Sequence, residues 1–165
     1  MKRYFVALVA LFLGMQAASA QTLVQGSLDV LRGEEYVKVV VDYSNALIMD
    51  MTEEEFAEYE EDWYKDQPQI MSELIEEAND KLDGVLRLSR TRTTDYILRW
   101  AVDWIDESGT IMSDFYLETA GGEVIAVIEN VKGKGGVFGT KLNLIKTGAE
   151  STGRTLGKFL IKHLK

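Results

Sequence analysis

The stretch DYILRWAVDWIDESGTIMSDFYLETAGGEVIAVIENV, residues 95–131, decides the fold. Tyr96, Leu98, Trp100, Val102 and Trp104 alternate with Ile97, Arg99, Ala101, Asp103 and Ile105, the period of two that belongs to a strand with one buried face. Residues 107–110, containing Gly109, read as a turn, and residues 111–119 as a second strand. Gly121 and Gly122 then supply the positive φ that a tight hairpin turn requires, and residues 124–131 form a third strand. Three consecutive strands joined by short turns make an antiparallel meander.

Before the meander, Val37, Val39, Val41 and Tyr43 alternate with Tyr36, Lys38, Val40 and Asp42, which predicts one more strand with its first set in the core. Thr52 followed by Glu55 is a capping-box signature, and Glu53 and Glu54 place negative charge at the positive end of the helix that follows. Phe56, Tyr59 and Trp63, then Ile70, Met71, Leu74, Ile75, Ala78 and Leu82, keep a helical period past the only proline. Pro68 has no N–H and clashes with the preceding turn, so a break is expected at residues 66–68. After the meander comes a glycine-rich loop, residues 132–139, and then Leu142, Ile145, Ala149, Thr152, Leu156, Phe159 or Leu160, and Leu164 at helical spacing. The expected fold is α+β: a two-layer sandwich of order β-α-β-β-β-α, with a mostly antiparallel sheet and two helices on one face.

Residues 1–20 differ from the rest. Lys2 and Arg3 precede an apolar run, Tyr4 to Leu13, and Ala18, Ser19, Ala20 end the segment. That is the pattern of a cleavable secretory signal with an apolar run too short to span a bilayer, so cleavage after Ala20 is expected, leaving a single domain of residues 21–165 in the periplasm or secreted. The chain has 18 Lys and Arg against 27 Asp and Glu, a net charge of -9, and no Cys. Acidity of this size argues against nucleic acid as a partner, because phosphate neutralisation by Lys and Arg supplies most of such affinity. The lack of Cys excludes disulfides, thiolate zinc sites, a catalytic thiol and a lipid on an N-terminal Cys.

No convergent catalytic set is visible, and no metal or cofactor is expected. His163, the sole imidazole, has no carboxylate at helical spacing, and Asp103, Asp106, Glu107 and Asp114 do not fit a calcium loop. Two candidate sites stand out. Gly133, Gly135, Gly136 and Gly139 lie between a strand and a helix, where backbone N–H groups can cradle an anion, although neither the Walker nor the dinucleotide pattern is present. With Arg87 and Arg90 they form the candidate ligand site, for a small anionic ligand or a glycan. Along the last helix Ala149, Gly153 and Gly157 repeat every four residues, and with Arg154 and Lys158 they form a candidate interface. Glycine inside a helix costs about 1 kcal/mol relative to Ala, so two of them imply a close approach by the sheet or by a partner. Residues 53–83 carry 13 acidic and 2 basic side chains, whereas residues 132–165 carry 8 basic and 1 acidic, an asymmetry that a partner could read.

The C-terminal third resembles the end of domains related to the curli-assembly protein CsgG and to the N-terminal domain of TolB. The resemblance rests on Gly122, Glu123, Ile125 and Ala126 in a hairpin, on Gly133, Gly135 and Gly136 in a loop, and on Ala149, Gly153 and Leu156 in the last helix. Ala120 and Gly121 replace the usual Thr-Gly of that turn. The resemblance implies a non-catalytic envelope domain that binds an envelope protein or self-associates, and it brings no catalytic residues. The expected function is that of an exported, non-enzymatic protein acting through protein contacts.

Overall fold

The structure, a computed structural model, describes residues 20–165; the expected signal segment lies outside the described residues. Three helices and a seven-stranded sheet follow one another as β1 (Thr22–Gly26), a single 3-10 turn (Asp29–Leu31), β2 (Tyr36–Asp42), β3 (Leu47–Ile48), α1 (Glu53–Tyr59), α2 (Trp63–Leu82), β4 (Arg87–Ser89), β5 (Tyr96–Ile105), β6 (Ile111–Thr119), β7 (Val124–Gly133) and α3 (Lys141–Leu164). The α+β class and the meander β5-β6-β7 are as the residue pattern predicts.

The sheet is mixed, and most of its pairing is antiparallel, as expected. Its order is β1-β7-β6-β5-β2-β4, with β3 beside the end of β5. Pairs β1-β7, β7-β6 and β6-β5 are antiparallel, whereas β2-β5, β2-β4 and β3-β5 are parallel. The parallel half arises because α2 carries the chain back between β2 and β4, and a helical crossover returns a strand in the same direction. β4 is a three-residue edge strand, and Asn79 of α2 closes it: its amide donates to the Leu88 carbonyl at 3.0 Å and accepts from the Leu88 N–H at 2.7 Å.

The capping box forms as expected, with the Thr52 N–H donating to Glu55 at 2.9 Å and the Glu55 N–H donating to Thr52 Oγ1 at 3.3 Å. The helix break, however, falls at residues 60–62 instead of 66–68. Starting α2 at Trp63 puts Pro68 in its second turn, where only the Tyr64 carbonyl loses an intrahelical partner, so the proline is accommodated inside the helix. The helix ends with Asp83 at φ 49 and Gly84 at φ 77.

Both long helices cover one face of the sheet. Beneath them Trp100 and Phe115, partners across β5 and β6, stack at 6.3 Å, and Trp63 meets Tyr43 at 5.1 Å and Phe56 at 5.2 Å edge-on. Val37, Val39, Leu98, Leu117 and Ile128 complete the sheet side of this core.

One element departs from its period. A bulge between Val102 and Trp104 adds a residue to β5, so Ile105 enters the core and Trp104 turns outward, 37% exposed. The two tryptophans expected on one face therefore separate, Trp100 in the core and Trp104 at the surface.

Candidate functional site

The glycine row of α3 is occupied from within the molecule. α2 and α3 run parallel, and Gly153 faces the Leu74 carbonyl while Gly157 faces that of Ala78 so closely that an added methyl would lie 2.6 Å from its oxygen. Ala149 is likewise fully buried. The expected interface on Ala149, Gly153 and Gly157 is thus corrected: α2 fills the groove, and no partner can reach it. Part of the charge asymmetry is neutralised along the same seam. Lys146 pairs with Asp66 at 2.9 Å and Arg154 with Glu77 at 3.0 Å. Lys158 remains exposed on the outer side of α3.

The candidate ligand site is also taken apart. Gly133 and Gly135 allow close packing: a Cβ on Gly133 would collide with Thr152, and one on Gly135 with the Ser108 carbonyl. Two of the N–H groups that would have cradled an anion donate inside the chain, from Lys134 to Ser151 Oγ at 2.9 Å and from Gly135 to Thr110 Oγ1 at 3.2 Å. Gly136 lies against Leu144, and Gly139 takes φ 138 just before Thr140, whose hydroxyl caps α3. Arg87 and Arg90 lie at β4, four strand spacings or about 19 Å from β7. Arg90 donates to the Pro68 carbonyl at 3.0 Å. The glycines and the arginines do not form one site.

The sheet face away from the helices carries a polar network that single-strand reading does not assemble. Arg99 donates to Glu118 at 2.8 Å and to Asp42 at 3.2 Å, and its guanidinium lies 4.3 Å from the centre of the Tyr116 ring. Hydrogen bonds from Ser44 and the nearby Arg99 outweigh burial at Asp42 and hold its carboxyl below the usual range. Asp103, on an exposed residue, has its carboxyl shielded by the sheet; that desolvation, with repulsion from Asp114 and Glu129, pushes its pKa up. A shallow cavity of about 220 Å³ lies over Arg99, Asp103 and Tyr116. The guanidinium is already neutralised by two carboxylates, and this arrangement offers neither an activated nucleophile nor a free cationic anchor. His163 packs on Phe159 at 4.2 Å, far along α3 from this face.

The unusual surface lies at the end of the sheet where β5 and β7 stop. Between Gly136 and Gly139 the loop presents Val137 and Phe138, 80% and 93% exposed. The stem of the loop is anchored at Lys134 and Gly135 by the hydrogen bonds just described, and beyond it these two side chains stand out in water. The signal was present in the sequence: a Val-Phe pair between glycines, in phase with no strand or helix. Around them, Lys134 is exposed and Lys141 holds its ammonium 4.3 Å above the Tyr59 ring. On the other side of the β5-β6 turn, Leu47, Met49, Trp104 and Ile105 line a cavity of about 340 Å³ rimmed by Asp50, Asp106 and Glu107.

No family model matches the chain, and no curated protein matches it. Solved structures do. A PelC dodecamer from Paraburkholderia phytofirmans matches with 14% identity over 83% of this chain and 98% of that one, at a TM-score of 0.41. A point variant of the same PelC dodecamer matches with 16% identity over 82% and 96% of the two chains, at a TM-score of 0.39.

Proposed function

We propose that this chain is an exported, non-enzymatic protein of the bacterial envelope that works by protein contact, through the end of the sheet that carries Val137 and Phe138. One observation carries the reading: a large aromatic and a branched aliphatic side chain stand side by side almost wholly in water on one loop, 93% and 80% exposed. Burying such side chains is worth roughly 1.5–3 kcal/mol each, which the isolated chain forgoes and a partner would recover. The signal pattern of residues 1–20 supports export. Among the described residues no helix is long and apolar enough to cross a membrane.

A photo-crosslinking residue in place of Phe138, in cells that export the protein, tests this. Protein adducts are expected at position 138 and not at Lys158, an exposed control on the outer side of α3. Equal labelling at both positions, or none at 138, would refute the reading. Sequencing the exported product should give Gln21 as its first residue.

A further inference from the structure

Resting on the contact function proposed above, we infer that the partner of the Val137-Phe138 finger is a second copy of this chain, and that the finger enters the cavity lined by Leu47, Met49, Trp104 and Ile105. The two surfaces match in apolar character and in charge. The finger is apolar and flanked by Lys134 and Lys141, with Lys134 making no ion pair among the described residues. The cavity has an apolar floor of about 340 Å³, in which Leu47 is 50% exposed, and an acidic rim of Asp50, Asp106 and Glu107. An apolar centre ringed by complementary charge is the usual anatomy of a specific contact, with the charges setting register and approach. The same acidic rim disfavours an anionic lipid surface as the occupant.

Finger and cavity lie on opposite sides of one support. The turn between β5 and β6 receives the Gly135 N–H on Thr110 and lines the cavity with Asp106 and Glu107. Phe138 does not occupy its own cavity, being almost wholly exposed. Because both halves of the contact lie at one end of the molecule, a two-fold axis there lets each copy give its finger and receive the other's, the self-complementary arrangement that closes on itself.

Sedimentation equilibrium on the purified protein, from about 1 µM to about 1 mM, reads the contact. A reversible pair is expected, and tryptophan emission should shift to the blue as it forms, since Trp104 is exposed while Trp63 and Trp100 are already buried. Phe138→Ser should weaken the pair by about 30-fold or more, as removal of a central anchor does. Leu47→Glu, on the receiving side, should do the same, and mixing the two variants should restore a 1:1 pair through the one intact finger and the one intact cavity. Lys134→Glu and Glu107→Lys, both at exposed positions that need no refolding, should each weaken pairing. A wild-type protein that stays monomeric, a Phe138→Ser variant that pairs as well as wild type, a blue shift independent of concentration, or Phe138-dependent sedimentation with anionic phospholipid vesicles would each overturn the second-copy assignment. If the wild type is monomeric while position 138 still crosslinks to a different envelope protein, the contact function survives without it; loss of both results retires both.

Discussion

Replacing Gly157 by Ala should destabilise the protein, although alanine is the better helix former. In an exposed helix the change would gain about 1 kcal/mol. Here the new methyl would sit 2.6 Å from the Ala78 carbonyl oxygen and 2.8 Å from Lys81 Cβ, where ordinary contact begins at 3.4 Å. The helices must separate by 0.8 Å (3.4 minus 2.6) at that point, and backbone on α2 cannot rotate away as a side-chain tip can. A gap of that size forfeits a quarter to a half of the dispersion energy across the contact, and overpacking of this kind costs about 1–3 kcal/mol or more. An overpacking cost of about 2 kcal/mol less about 1 kcal/mol of helix propensity leaves a net loss of roughly 1 kcal/mol, or about 2–4 °C in Tm for a domain of this size. Gly153→Ala should cost more, because its methyl would overlap the Leu74 carbonyl more deeply. Thermal and urea unfolding of both variants, with Lys158→Ala as a control within about 0.5 kcal/mol of wild type, measure the effect. A Gly157→Ala protein as stable as wild type, or more so, would mean that the α2-α3 seam is looser than described and that the glycines serve some other contact.

Three further outcomes follow from the same packing. Acrylamide should quench one of the three tryptophans in the monomer, and Trp104→Phe should abolish that component; a quenchable Trp100 would contradict the β5 bulge. Tyr43→Phe should leave stability unchanged or raise it by about 1 kcal/mol, because the buried Tyr43 hydroxyl has no hydrogen-bond partner among the described residues and its removal relieves a desolvated polar group; a loss above about 1 kcal/mol would show that the hydroxyl is satisfied. Asp42 and Asp103, two carboxylates of the open face, should differ in sign with pH. Asp42 has a lowered pKa, so its contribution is present above its unfolded value and lost as pH falls through the folded one, and Asp42→Asn should be destabilising at neutral pH but converge on wild type in acid below about pH 4. Asp103 has a raised pKa, so its ionisation costs stability as pH rises through the folded value, and Asp103→Asn should stabilise slightly at neutral pH and not in acid. Identical pH dependence in the two variants would refute the open-face electrostatics.

The elements that could be read along the chain are those whose information is local. The period of two in β2 and in β5 as far as Val102, the capping box at Thr52, the glycine turn at residues 121–122 and the helical spacing of α3 each depend on neighbours a few residues away, and each appears where the residues predict it. Where pairing partner or phase depended on distant groups, local pattern misled. Alternation cannot tell a strand's direction relative to its neighbour, so the parallel half of the sheet and the three-residue β4 were hidden. Both Trp104 and Ile105 could continue the apolar face of β5, and only the packed core, which takes Ile105, decides between them.

The candidate sites divide in the same way. Composition alone determined that the last helix tolerates, and indeed needs, a very close neighbour at Gly153 and Gly157, because nothing else repays two glycines in a helix. That the neighbour is α2, held by Asp66–Lys146 and Glu77–Arg154, was decided by the crossover that brings the acidic helix alongside the basic one. Likewise the order of residues along the chain places a Val-Phe pair between glycines in a loop. Only the tertiary structure decided that it stands in water beside an acidic-rimmed apolar cavity, because exposure is a property of everything the rest of the chain leaves uncovered.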